Sequence, residues 1–130
     1  METAKGNNHI AHLILRIGIA FSFLYSAISG FINPDNWIGY FPSFIQGILP
    51  VETMFSLWGM VEIILAIWIL SGWKILIPSI LGAFSLFGLI AFNLNQMDIL
   101  FRDIMIMLTL IALAVWDRQD ERQNEKDKYN

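Results

Sequence analysis

The sequence predicts an all-α membrane protein, a four-transmembrane-helix up-and-down bundle, and two observations favour this class. Hydrophobic residues make up 56% of the 130 residues and charged residues 15%, whereas typical globular proteins contain about 45–50% and about 25%. Nearly half of the charged residues follow Trp116, so the remainder of the chain is almost uncharged. A small soluble domain cannot bury that much apolar surface, and lipid is therefore expected to be part of the solvent.

Four apolar segments are long enough to cross a bilayer, which takes roughly 20 residues. They cover about residues 10–32, 53–70, 75–92 and 99–116. The links "SGWK" and "NLNQMD" are short, so consecutive helices are expected to be antiparallel neighbours. Residues 1–116 are predicted to form the membrane domain. The first segment is too long for a cleaved signal peptide and is interrupted by Arg16, so we expect it to be retained.

The basic residues predict a multi-pass protein of the cell membrane with both termini in the cytoplasm. Only Arg102 falls on the opposite side, against six on the side of the termini: Lys5, Lys74, Arg118, Arg122, Lys126 and Lys128. Such an excess marks the cytoplasmic face. The cytoplasmic tail, residues 117–130, alternates charge signs and has almost no apolar content. This pattern fits either a solvated helical extension or a disordered segment.

The first outer loop, "NPDNWIGYFPSFIQGILP", contains too many helix breakers to cross the membrane. It predicts a short interfacial helix on the outer leaflet. Its rings Trp37, Tyr40, Phe41 and Phe44 suit the aromatic belt found at that level. The same rings are expected near Arg102, so they also suit an amphipathic ligand with a polar head and a lipid tail.

The last apolar segment opens with three charges, in "DILFRDIMIMLTLIALAV". Asp98 is expected to cap the helix and to complement the positive end of its dipole. Arg102 lies within i,i+4 reach of Asp98, whereas Asp103 points about 100° round the helix and is expected to face another partner. These charges indicate either an ion-pair cluster that fixes the depth of the helix or the floor of an outward-facing polar pocket.

Residues at the outer end of the first helix would complete such a pocket. Tyr25, Ser29 and Asn33 are spaced i, i+4, i+8 along one helical face, and the loop follows directly. The predicted ligand-binding set is Tyr25, Asn33, Trp37, Tyr40, Asp98, Arg102 and Asp103.

Two further charges, Arg16 and Glu62, lie deep within their segments. At 1.5 Å per residue they are about 10 Å and about 15 Å from the cytoplasmic side. This placement predicts a buried ion pair that joins the first two helices. A protonatable Glu62 in a proton path or a ligand site is the alternative. Small residues spaced by four would let the helices approach closely: Gly18, Ser22, Ser26 and Gly30.

Several classes of chemistry are excluded by the sequence. The chain has no cysteine, so it cannot supply a disulfide or the thiolates of a metal or iron–sulfur site. His9 and His12, both at the cytoplasmic end, are too few and too shallow for a haem or metal site. A net charge of -3 offers no basic surface for nucleic acid. No phosphate loop or nucleophile elbow occurs, and no catalytic residue is predicted.

Three stretches together resemble the DoxX family of small four-helix membrane proteins. "LRIGIAFSFLYSAISGFINPDNWIGYFP" resembles the family's opening, "WGMVEIILAIWILSG" its second helix and "DILFRDIMIMLTLIALA" its last helix. The matching charged residues are Arg16, Glu62, Asp98, Arg102 and Asp103. Many relatives carry "G-x-x-K" near the end of the first helix, whereas this chain has "SAISGFINP" there, without a lysine. The family includes DoxD-type subunits of a thiosulfate:quinone oxidoreductase, and other members are associated with redox stress.

The resemblance implies an accessory or non-catalytic subunit of a membrane redox system, with the redox centre in a partner subunit. A quinone would be the ligand, near Arg102, Tyr25 and the aromatic loop. The alternative is a structural or assembly protein without a small-molecule ligand, whose small residues and charge pairs serve packing, partner docking or homo-oligomers. A transporter is a third interpretation, although four short helices leave little room for a path.

Overall fold

The computed structural model describes residues 2–130, with the side chains of all of these except residues 2–5, 40 and 99. The described chain is almost entirely helical and contains no strand, which confirms the predicted all-α class. The α-helices are α1 (Glu2–Ile32), α2 (Ser43–Gln46), α3 (Val51–Ser71), α4 (Leu76–Phe92) and α5 (Met97–Tyr129). Each predicted apolar segment falls on one of the four long helices, and α1 and α5 extend well beyond theirs.

The four long helices pack mainly as two antiparallel pairs. α1 lies against α3 and α4 lies against α5, while α1–α5 and α3–α4 contacts join the pairs more sparsely. The buried core where the pairs meet contains apolar side chains from all four helices and from the α3–α4 turn: Ile19, Ala20, Phe23, Ala66, Ile69, Ile75, Leu86, Leu110 and Leu113. Buried Gly82 lets α5 and α1 approach α4, because Leu110 and Phe23 carbons lie 3.1 and 3.2 Å from where its Cβ would stand.

The loop between α1 and α3 contains three short helical pieces rather than the single interfacial helix predicted. Two 3₁₀ turns, Pro34–Asn36 and Ile38–Tyr40, precede α2. Prolines favour such restarts because their fixed φ suits the first position of a helix and they lack an N–H to satisfy. The Gln46 amide donates to the carbonyl oxygens of Ile38 at 3.0 Å and Phe41 at 2.6 Å, which holds the loop compact.

A tight turn at Gly72 joins α3 to α4. Gly72 has a φ of 79° and ends α3 in the left-handed conformation, where a side chain is unfavourable. A Cβ on Gly72 would also stand 2.8 Å from Nη2 of Arg16. At the start of α4, the Asp117 carboxylate accepts a hydrogen bond from the Leu76 N–H at 3.1 Å, which ties α4 to α5.

Replacing Gly72 with alanine is expected to lower the free energy of unfolding by about 1 kcal/mol, because alanine is strained at positive φ. Unfolding of the purified protein by sodium dodecyl sulfate in mixed micelles, followed by circular dichroism, measures it. Gly47→Ala is the matched control, since Gly47 has a φ of -85° and open space around its Cβ position. Equal effects of the two substitutions would contradict the prediction.

Two of the described helices, Gly6–Ile32 and Val51–Ser71, are long and apolar enough to cross a membrane. Helix α4 is equally apolar in character but has 17 residues. Only 28% and 39% of the apolar windows in the two longer helices are buried within the protein. The core helix of a soluble protein would be mostly buried, so these two helices favour association with a membrane.

The tail is helical, since α5 continues without a break to Tyr129. The residues from Gln119 to Asn130 are all exposed. Of the two alternatives that the sequence left open for this segment, the structure supports the solvated helical extension.

Candidate functional site

A cavity of about 300 Å³ lies between the long helices, at the end where the 33–50 loop connects α1 to α3. This volume is at the lower end of the range for small-molecule sites. Most of the wall is apolar, and the aromatic side chains come from α1, the loop and α3: Phe21, Phe23, Tyr25, Trp37, Phe41, Phe55 and Trp58. Three charged side chains, Glu62, Arg102 and Asp103, also line it.

Glu62 lies on the α3 wall of the cavity and is only 6% exposed. The Ser26 hydroxyl of α1 donates to its Oε1 atom at 3.0 Å, and Trp58 lies one turn earlier on the same helix. α1 comes close to α3 here, because a Cβ on Gly30 would stand 3.4 Å from Phe55. Ser26 and Gly30, the two members of the small-residue stripe nearest the C-terminal end of α1, therefore shape this wall.

Arg102 and Asp103 form the opposite wall, on the first turns of α5. Nε and Nη2 of Arg102 both lie 3.4 Å from Oδ1 of Asp103, whose side chain is 7% exposed. The guanidinium carbon of Arg102 lies 5.8 Å from the centroid of the Trp37 ring, within the range of a cation–π contact. The Trp37 N–H donates to the Ser29 hydroxyl at 3.0 Å, which fixes the indole over the cavity.

The predicted roles of Asp98 and Asp103 need correction. Asp98 lies in the first turn of α5, where its charge suits the helix dipole, but the N-cap residue is Gln96 and no side chain caps the helix. Arg102 pairs with Asp103, its neighbour in sequence, rather than with Asp98. The expectation that Asp103 faces a different partner was wrong because the arginine side chain is long enough to reach round the helix.

The predicted Arg16–Glu62 pair does not form in the structure. Nε and Nη2 of Arg16 donate to the carbonyl oxygens of Ile69 and Leu70, at 2.8 and 2.5 Å. These carbonyls belong to the last turn of α3, which carries the negative end of the dipole, and the Ile69 carbonyl also accepts from the Gly72 N–H at 3.4 Å. Glu62 lies about 10 Å further along α3, and its carboxylate accepts from Ser26 instead.

The structure brings together four of the seven residues predicted for the ligand site. Tyr25, Trp37, Arg102 and Asp103 line the cavity. Asn33 and Asp98 are exposed and do not line it. The Tyr40 side chain is outside the described part of the chain.

Sequence reasoning missed the cavity positions of Ser26 and Trp58, and it gave a ligand site only as the alternative role of Glu62. One signal was present on α3, because Phe55, Trp58 and Glu62 are spaced i, i+3, i+7 and thus share a helical face. Phe41 was expected near Arg102, but its position in the cavity wall depends on the shape of the loop.

The arrangement suits binding of a small molecule. The cavity has a largely apolar lining together with two carboxylates and one guanidinium. Among the residues that the structure describes, no cluster of three or more histidine, aspartate or glutamate side chains is placed to hold a metal ion. No known protein family, curated protein or solved structure matches this chain, and its resemblance to the DoxX family stays a prediction.

Proposed function

We propose that this is a four-span integral membrane protein that binds a lipid-soluble ligand with a polar head in the cavity. The observation that carries the proposal is the meeting of Glu62, Arg102 and Asp103 in an otherwise aromatic and apolar cavity. Charged side chains inside membrane helices are costly, and they mark functional sites when they face a cavity.

The apolar surface of the four long helices supports the proposal that each of them crosses the membrane. Large apolar side chains point outwards along all of them, as at Phe21, Ile64, Phe84 and Leu108, which are 54–75% exposed. Soluble monomers rarely expose contiguous apolar surface on this scale. The basic residues support cytoplasmic termini, because six of them lie at the ends and in the α3–α4 turn.

The role that we propose is that of an accessory subunit in a quinone-linked membrane redox system. Its support is the DoxX resemblance of the three motifs and the composition of the cavity. A quinone is the first ligand to test, since its ring suits aromatic walls and its carbonyl oxygens accept hydrogen bonds from Arg102 or Tyr25. The redox centre would belong to a partner subunit.

Decylubiquinone is expected to bind the protein in dodecyl maltoside saturably and to quench its tryptophan fluorescence, because Trp37 and Trp58 line the cavity. Arg102→Gln should raise the Kd about tenfold, since hydrogen bonds from charged groups contribute about 1.5–3 kcal/mol. Arg118→Gln, in the exposed tail, is the matched control and should leave the Kd unchanged. An unchanged Kd in the Arg102 variant would contradict a quinone in this cavity.

Native mass spectrometry of the protein extracted gently from its own membranes separates the accessory role from the structural alternative. A co-purifying redox subunit or one bound lipid-soluble molecule per chain is the expected result. A homo-oligomer that carries only bulk lipid would instead support a structural or assembly protein, with Asp98, Arg102 and Asp103 as an anchor of α5.

A further inference from the structure

Glu62 is a buried carboxylate without a basic partner among the described residues. Glu62 is only 6% exposed, and the hydroxyl of Ser26 donates a hydrogen bond to its carboxylate. The ion pair of the described chain joins Arg102 to Asp103, and Arg16 is bound to carbonyl oxygens at the other end of α3. A hydroxyl donor stabilises a carboxylate less than a cation does, so a negative charge on Glu62 lacks a compensating cation.

Arg102 lines the same cavity but does not neutralise Glu62. Its guanidinium is already shared between the Asp103 carboxylate and the face of Trp37. Two carboxylates and one guanidinium leave the cavity with a surplus of one negative charge when all three are ionised.

The cavity that Glu62 lines is also lined by aromatic rings, which suit a cation. Phe41 packs edge-on against Phe55 at 5.1 Å and against Trp58 at 6.1 Å between ring centroids. Aromatic faces attract ammonium groups, and quaternary ammonium ligands are bound in cages of this kind. The contact of Arg102 with Trp37 on the other wall shows the same preference within this chain.

The cavity reaches the outer surface of α1. Phe21 and Tyr25 both line it, and they are also 68% and 58% exposed. These two rings stack at 6.3 Å between centroids. In the four-span arrangement this surface faces lipid, so a molecule dissolved in the bilayer would reach Glu62 from the side.

We propose that the cavity binds the ammonium head of a lipid-soluble organic cation, with Glu62 as the counter-ion and the rings of Phe41, Phe55 and Trp58 beside it. This inference rests on the proposed ligand cavity and names a cationic ligand for Glu62, distinct from the neutral quinone tested at Arg102. The ammonium group belongs either to a free amphipathic amine or to the headgroup of a choline lipid.

The test compares benzyltrimethylammonium with neopentylbenzene, a neutral molecule of the same shape, by calorimetric titration of the full chain in dodecyl maltoside. We expect the ammonium to bind at least about tenfold more tightly than the neutral analogue. Glu62→Gln keeps the size and hydrogen-bonding capacity of the side chain, and it should remove this difference. Glu52→Gln, at an exposed position in the first turn of α3, is the matched control and should preserve it.

Equal binding of the two probes by the unaltered protein would overturn the inference and leave a neutral head, such as that of a quinone, as the occupant. Binding of neither probe would overturn the proposed ligand cavity as well. A charge preference that persists in Glu62→Gln would overturn the role of Glu62. If Glu62→Gln does not fold, the comparison of the probes on the unaltered protein still decides. Competition by added phosphatidylcholine would identify the lipid as the source of the ammonium, and its absence a free amine.

Discussion

Replacing Arg16 with leucine is expected to lower the free energy of unfolding by about 3 kcal/mol, the largest effect of any single charged side chain. Arg16 donates to the carbonyl oxygens of Ile69 and Leu70, and each hydrogen bond from a charged group contributes about 1.5–3 kcal/mol. Without the guanidinium, the last turn of α3 also loses the cation that complements its dipole. Unfolding by sodium dodecyl sulfate in mixed micelles measures the change.

Two controls separate this contact from a general effect of removing charge. Arg118→Leu removes the same charge from the exposed tail and should change stability little. Arg16→Lys keeps the charge but not the fork of donors, so it should recover part of the loss. A loss in Arg118→Leu as large as that in Arg16→Leu would contradict the prediction.

The same contact predicts the result of a charge exchange. If Arg16 and Glu62 were partners, the double variant Arg16→Glu, Glu62→Arg would recover much of the stability that each single variant loses. Arg16 binds backbone carbonyls and Glu62 accepts from Ser26. We therefore expect the double variant to lose at least as much free energy of unfolding as the two single variants lose together. Recovery of stability in the double variant would instead support the Arg16–Glu62 ion pair that was predicted from the sequence.

The sequence predicted the long helices but not the hydrogen-bond partners of Arg16. The existence and order of the long helices follow from the apolar segments, and the end of α3 follows from the conformational freedom of Gly72. The start of α1 at Glu2 and the end of α5 at Tyr129 lie beyond those segments. Depth along a helix also follows from residue number. Partner choice does not, because the acceptors for Arg16 are backbone carbonyls, which every residue possesses. Residue numbers placed Arg16 and Glu62 at similar depths, but in the packed pair of helices Arg16 lies at the level of Ile69 and Leu70, about 10 Å along α3 from Glu62.

The candidate site was predictable to the extent that it lies on regular helices. Arg102 and Asp103 stand out as charges inside an apolar segment, and Tyr25 follows from its place on the outer part of α1. Trp37 and Phe41 lie in a loop whose shape depends on three prolines and on Gln46 binding two carbonyls. The sequence placed these rings near the site but could not distinguish an aromatic belt from a wall of the cavity.

Replacing Gly82 with leucine is expected to lower the free energy of unfolding by about 3 kcal/mol, at the upper end of the range for overpacked cores. Even the Cβ of a larger residue would stand 3.1 Å from Leu110 and 3.2 Å from Phe23. Both neighbours are buried, and Leu110 is completely enclosed, so neither can move aside cheaply. The extra side chain must therefore push α4 away from α5 and from α1.

Gly88→Leu is the matched control, because Gly88 lies on the same helix and its Cβ position meets no atom within 4 Å. There the substitution should leave stability unchanged or raise it slightly, since leucine is a better helix former than glycine. The same unfolding assay measures both variants. An equal loss of stability in Gly88→Leu and Gly82→Leu would show that leucine is unfavourable anywhere on α4. The close packing around Gly82 would then not explain why this position requires a small residue. Gly82 lies in the core rather than in the cavity wall. We therefore expect Gly82→Leu to lower the free energy of unfolding but to change little the affinity of the folded protein for benzyltrimethylammonium.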